Sequence, residues 1–375
     1  MARRSKADGE PAKVAPACQG GGSQTAFTAG AIKGLVEHRA ENVEVVSISG
    51  ASGGAVCATL VWYSFWKGEQ PIWKRLIELW KDNTARNRAE DNLNRFIIES
   101  LRLVNRGLLA TFQLSPSSPL VQMMMPWLAL GSRPSFIEFP ATLRKYLDFD
   151  EMAAWGARPQ RPVLILGAAN VSTGKLAKFS SNREAIRLEH ILASCALPTI
   201  FPAVEIDGQG YWDGLFSDNP PVEELIRPRT VGKDNVPDEI WLIKINPTDS
   251  PTIPAQSDGI LDRRNQMEGN ISLFRQPEHL AFINDLIMRD AFRPAFLAQF
   301  GLDAPIRIPE SFREDPDRPH HIPCIEMAKA LQDRLDSEGK LDRSAANIDW
   351  LLEQGEAAAI AFLDERAKVV AERPL

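Results

Sequence analysis

The first part of the chain alternates between two hydrophobic periods. Lys13-Val-Ala-Pro-Ala-Cys18 reads as a short strand, and Pro16, which removes a ladder donor, predicts an edge or irregular position for it. Gly20-Gly21-Gly22 breaks that pattern. From Thr25 to His38 the apolar residues Ala26, Phe27, Ala29, Ile32, Leu35 and Val36 recur at helical spacing. The same unit then repeats: Val43 to Ser49 is strand-like, Gly50 to Gly54 turns sharply, and Ala55 to Phe65 is rich in apolar residues. Two strand-turn-helix units in tandem imply a parallel sheet with helices packed over it.

Pro71 to Asn105 is helix-rich, with Ile72, Trp73, Leu76, Ile77, Leu79 and Trp80 marking an amphipathic face, and such an insertion could cap a site. The stretch Leu120 to Leu130, interrupted by Pro126, reads either as a buried connector or as a lid or membrane-touching surface, because Met is adaptable and Trp favours interfaces. Arg161 to Gly167 is a near-continuous apolar run, as a central strand buried on both faces requires. Glu239 to Ile245 predicts one further buried strand. Beyond it the chain is Pro-rich from Pro247 to Pro254, then mainly helical, ending in an Ala-rich helix from about Ile348 to Ala371. No apolar run reaches the ~18 residues of a membrane-spanning helix.

Composition narrows the function. The 375 residues are 44% hydrophobic and 25% charged, ordinary for one large domain or two smaller ones. A net charge of −6 argues against a nucleic-acid partner and against strong attraction to an anionic membrane. Cys18, Cys57, Cys195 and Cys324 are scattered with no CxxC pair, which reads as free thiols in a reducing compartment. The basic start, Met1 to Lys6, lacks the apolar core and cleavage site of a signal peptide, so a cytoplasmic location is expected. No His/Cys/Asp spacing suggests zinc, and Gly174-Lys175 lacks the spacing of a phosphate-binding loop; no metal or cofactor is expected.

Three segments carry chemistry. Gly50-Ala-Ser52-Gly53-Gly54 fits G-x-S-x-G between a strand and a helix, a context that lifts a serine hydroxyl out of the sheet edge beside free helix N–H groups. Alone, it could equally be a glycine-rich turn with Ser52 as helix cap. Gly20-Gly21-Gly22-Ser23 lies at the other strand-to-helix junction, where successive N–H groups can form an anion site. A dinucleotide loop is the competing reading, but Thr25 stands at its last glycine position. The third segment, Gly210 to Pro221, places Asp213 before Gly214, where a plain hairpin turn is the alternative.

Taken together, the segments resemble the patatin-like phospholipases, whose pattern is a Gly-rich oxyanion loop, a G-x-S-x-G turn and a later Asp-Gly. Asn170-Val-Ser-Thr-Gly-Lys175 resembles that family's "TGK" segment, and Ala193 to Pro198 with Phe201-Pro202 resembles its "AS-x-A-x-P" stretch. The resemblance implies a three-layer α/β/α fold with a mainly parallel sheet, a helical cap insertion, a catalytic domain over residues 12–226 and a helical C-terminal extension over 227–375. It implies Ser52 as nucleophile, Asp213 as base, and Gly20, Gly21, Gly22, Ser23 and Gly53 as the oxyanion and substrate-binding positions. The substrate would be a lipid ester, met transiently at a membrane surface. Ser23, Thr25 and Leu215 depart from the family's usual Arg or Lys, Gly, and Gly or Ala, which bears on headgroup contacts and loop shape. Two other readings stay open: an α/β-hydrolase triad of Ser52, Asp213 and His279, His320 or His321, and a lipid-binding scaffold of the same fold without turnover.

Overall fold

The computed structural model describes residues 11–39, 42–110, 118–198, 200–250, 253–300, 322–332, 335–336 and 338–372. Its centre is a nine-stranded sheet. The strands are β1 (Ala12–Cys18), β2 (Val43–Val45), β3 (Ser47–Gly50), β4 (Val163–Asn170), β5 (Leu176–Ser180), β6 (Val204–Ile206), β7 (Gln209–Asp213), β8 (Glu239–Lys244) and β9 (Cys324–Glu326). Parallel pairing runs through β4, β3, β1, β8 and β9, while β5, β6 and β7 join antiparallel beyond β4. Helix α1 (Ala26–His38) follows β1 and α2 (Gly53–Lys67) follows β3, each after a short turn.

Alternate residues of the central strands enter opposite cores, the period-2 signature of a sheet covered on both faces. Val14, Leu164, Leu166, Trp241 and Ile243 pack with Phe27, Leu60 and Trp62 of α1 and α2. Ala15, Ala17, Val163, Ile165, Ile240 and Leu242 pack on the other side with Val222, Leu225, Leu273 and Leu280. Each fully buried Leu or Ile contributes roughly 1.5–3 kcal/mol, so β4, buried throughout, is clamped between the layers.

Of the edge or irregular position predicted for the first strand, the edge is not what forms: β1 is central, flanked by β3 and β8. Pro16 is tolerated because the neighbouring chain breaks there between β2 and β3. At that break the Val46 N–H donates to the Val14 carbonyl at 3.0 Å, and the Val46 carbonyl accepts from the Val163 N–H at 3.0 Å. No ladder bond from residue 16 is missed.

Helices α3 (Lys74–Asp82) and α4 (Arg88–Asn105) form the cap insertion, with Leu76, Leu79 and Trp80 turned into the main core. The following helix, Pro119–Leu128, contains Pro126 and buries none of its residues fully; Met123 is 66% and Trp127 78% exposed. That overturns the buried-connector reading of Leu120 to Leu130, since only Met125, Leu128 and Ala129 lean on a small cluster around Phe136.

Residues beyond 226 add two strands, β8 and β9, where one was predicted, because Cys324–Glu326 is too short to show a period. β8 pairs directly with β1. The C-terminal helix Ala345–Glu372 lies against α1 at close quarters: a Cβ at Gly30 would strike the Leu352 carbonyl, and one at Gly355 would strike that of Phe27. Buried Arg366 fixes the helix to the sheet through Glu239, with Nε and Nη2 at 2.8 and 2.7 Å from the two carboxylate oxygens.

Candidate active site

The carboxyl ends of β1, β3 and β7 lead into three turns that touch one another. After β3 the chain reverses at Ser52, whose φ of 52° and ψ of −132° are costly for any residue bearing a Cβ. The turn is that tight because its neighbours touch: a Cβ at Gly54 would strike the Cys18 carbonyl, and one at Gly20 would stand 2.5 Å from Ser52 Cβ. The Ser52 N–H is pinned by Ser194, 3.1 Å from its carbonyl and 3.1 Å from its Oγ, which itself donates to the Gly167 carbonyl at 2.7 Å. As the first residue of α2, Gly53 has no carbonyl one turn back for its N–H, and the helix adds a partial positive charge there.

The glycine loop after β1 abuts this turn. A Cβ at Gly53 would collide with Thr25 Oγ1 and lie 3.0 Å from the Gly22 carbonyl. Gly22 itself takes a φ of +58°. Hydrogen bonds hold the loop at Gly20 and at Ser23. The Gly20 N–H donates to Asn219 Oδ1 at 2.7 Å, so it is already engaged. Ser23 turns its hydroxyl away, toward the carbonyls of Gly339 and Lys340 at 3.2 and 2.9 Å.

Asp213 ends β7, in register with Ala168 of β4, and is 1% exposed. Its N–H donates to the Ala196 carbonyl at 3.0 Å, and its Oδ1 accepts from the Leu215 N–H at 2.8 Å. The turn is pressed against the nucleophile loop, since a Cβ at Gly214 would stand 2.7 Å from that of Ala51. Burial raises the Asp213 carboxyl to about 7; the Leu215 N–H and the nearby Ser52 hydroxyl pull the other way. The Ser52 turn and the Asp213 turn, far apart in sequence, therefore adjoin each other beside the glycine loop. Cys195 is nearby, but burial, with the Asp213 charge adding to it, pushes its thiol far up and keeps it protonated.

The described histidines stand elsewhere. His279 on the long helix Ser257–Met288 is half exposed and contacts Glu223, 2.7 Å from Nδ1 to Oε1, not Asp213. His190 is buried, stacked on Phe179 with ring centroids 4.2 Å apart, and burial lowers it to about 4. His320 and His321 lie outside the described residues. The "TGK" segment is the β4–β5 hairpin, where Asn170 Oδ1 accepts from the N–H and hydroxyl of Thr173, both at 2.9 Å, and Lys175 is exposed. Among the described residues the one cluster with metal-ligand geometry, Glu37, His38 and Glu356, is mostly exposed and remote from Ser52 in the fold, on α1 and the C-terminal helix.

Sequence reading missed Asn219, Ser194 as a prop for Ser52, and Gln19. Gln19 Oε1 accepts the N–H groups of Ile245 and Asn246 at 2.7 and 2.9 Å, while its Nε2 donates to the Gly269 carbonyl at 3.0 Å. It thus ties the start of the glycine loop to β8 and to the long helix. The signal available was polarity at strand ends where apolar residues would otherwise continue the core.

Known proteins share parts of this chain's structure and sequence. The crystal structure of VipD from Legionella pneumophila covers 93% of this chain and 69% of its own, at 12% identity and a TM-score of 0.32. No curated protein matches the chain by sequence. The family model for patatin-like phospholipase matches residues 17–226, more than half of the chain and all three turns just described. The chain belongs to the patatin-like phospholipase family.

Proposed function

We propose that this protein is a serine acyl-ester hydrolase working through a Ser52–Asp213 dyad, as befits a family that hydrolyses lipid acyl esters. The observation that carries the reading is the buried Asp213 carboxyl, on a turn packed against the Ser52 turn and close enough for the Ser52 hydroxyl to act on its ionisation. An ordinary aspartate is a weak base toward a hydroxyl. Burial brings this one near neutrality, where it is a better proton acceptor and still ionises at physiological pH. Ser52 Oγ attacks the ester carbonyl as Asp213 takes its proton. The developing oxyanion is met by the N–H groups of Gly21, Gly22 and Gly53, and each such donor is worth about 3 kcal/mol of barrier. The alcohol or lysolipid leaves with the proton, and water, activated by the same carboxylate, frees the acyl group.

A lipid aggregate as the source of substrate is supported by Trp212 and Phe216, which flank Asp213 and stay substantially exposed, with Phe201 exposed nearby in sequence. No described helix is long and apolar enough to cross a membrane. The test is a panel of phospholipid, neutral-lipid and p-nitrophenyl esters, run with fluorophosphonate labelling of wild type and Ser52→Ala. Ser52-dependent labelling and hydrolysis are expected; equal turnover by Ser52→Ala would end the reading.

A further inference from the structure

The turn Glu338–Leu341, in the C-terminal extension, sits directly on the glycine loop. Three consecutive loop residues meet it. A Cβ at Gly22 would strike the Lys340 carbonyl. The Ser23 hydroxyl donates to the carbonyls of Gly339 and Lys340, and Gln24 Nε2 donates to the Asp336 carbonyl at 3.0 Å. Ser23 and Gln24 are both buried, and the bond to the Gly339 carbonyl forms away from water, where breaking it leaves a polar group unsatisfied.

The turn is in turn braced from outside. Asp336 Oδ1 accepts the Gly339 N–H at 2.7 Å, and Asp336 Oδ2 pairs with Arg102 Nη2 of α4 at 3.0 Å. Asn105, at the end of α4, donates to Glu338. Lys340 Nζ reaches Asn246 Oδ1, just past β8, at 2.9 Å. A rigid platform thus spans the cap helix, the sheet and the loop.

A loop of three glycines has little conformational preference of its own, and oxyanion donors work only when fixed in advance. We propose that the Glu338–Leu341 turn is the element that fixes the oxyanion loop, with Ser23 as the positioning residue through which it acts. The C-terminal extension is then a working part of the active site. This rests on the Ser52–Asp213 reading and concerns the placement of its amides.

The experiment compares wild type, Ser23→Ala, Ser23→Thr, Arg102→Ala and Glu356→Gln in the full chain, measuring kcat and KM on p-nitrophenyl butyrate, the rate of fluorophosphonate labelling, and Tm. Glu356 pairs with Lys33 of α1 at 2.8 Å, so Glu356→Gln loosens the extension without touching the loop. Ser23→Ala is expected to lower kcat and the labelling rate together by at least ~10-fold, with KM changed less than about threefold, because misplaced donors cost transition-state binding only. Ser23→Thr, which keeps the hydroxyl, recovers most of both. Arg102→Ala, a surface change, shifts kcat in the same direction by less, and Glu356→Gln leaves kcat unchanged. A Ser23→Ala enzyme within twofold of wild type, or kcat losses that merely track Tm across all variants, overturns the proposal while Ser52-dependent turnover stands. Turnover indifferent to Ser52→Ala removes the underlying reading instead.

Discussion

Asn219 Oδ1 accepts the Gly20 N–H at 2.7 Å, and its own N–H donates to Ser272 Oγ at 2.9 Å. This buried side chain joins the first residue of the glycine loop to the segment that carries Asp213. Asn219→Ala leaves a buried N–H without its acceptor and is expected to cost roughly 1–3 kcal/mol of stability. Turnover should fall further than that loss explains, since loop and base lose a shared anchor. Urea unfolding and kcat measured on the same preparation check this, and a destabilised variant with wild-type kcat would refute it.

Asp213 gives a pH signature in two assays. With the folded carboxyl raised to about 7, kcat/KM should climb as pH passes through that value and level above it. Stability runs the opposite way. Between the ordinary 3.8 and about 7 the folded protein holds a proton that the unfolded chain has lost, so stability declines as pH rises through that window. Asp213→Asn should lose turnover by about 10³-fold and gain Tm relative to wild type on going from pH 4 to pH 8. A Tm difference that stays flat with pH would show that the carboxyl is not raised.

How far the sequence carried the fold follows from these residues. The two strand-turn-helix units and the β4 run were readable because period-2 and period-3.6 patterns are local. Pro16 misled because what spares its missing donor is the break at Val46 in another strand, which no local pattern records. Ser52 and Asp213 were singled out by turn chemistry, whereas Asn219 and Ser194 act through side-chain bonds to backbone across long separations and have no periodicity to betray them. The exposed Met123 and Trp127 stayed ambiguous because an apolar run reads alike whether core or solvent takes it.

Ser52 holds a conformation that glycine adopts far more readily. Replacing it by Gly should abolish turnover and still stabilise the fold, by about 1 kcal/mol after the extra unfolded-state entropy of glycine is subtracted from the released strain. Ser52→Ala keeps the strain and should show no such gain. Chemical denaturation of the two variants side by side decides it; equal stabilities would mean that the turn is not strained.

The cap has its own acid limit, set by Glu90. Its carboxylate is fully buried and accepts from Arg133 Nε and Nη2 at 2.7 and 2.9 Å and from the Arg86 and Arg133 N–H groups at 2.7 and 2.9 Å. Burial alone would raise this group, but those four donors more than offset it and bring it down to about 2. With the folded value below the ordinary 4.5, its stabilisation is complete above that pH and drains away as pH falls toward 2. Wild type should therefore lose urea resistance steeply between pH 4.5 and pH 2. Glu90→Gln keeps the shape but not the charge, so it should be weaker at pH 7 by roughly 3 kcal/mol and show a flatter profile over that acid range. Because Asp82 and Lys145 share this network, at 2.6 Å from Oδ2 to Nζ, some acid sensitivity remains in the variant. A Glu90→Gln profile parallel to wild type would mean that the acid limit is set outside the cap.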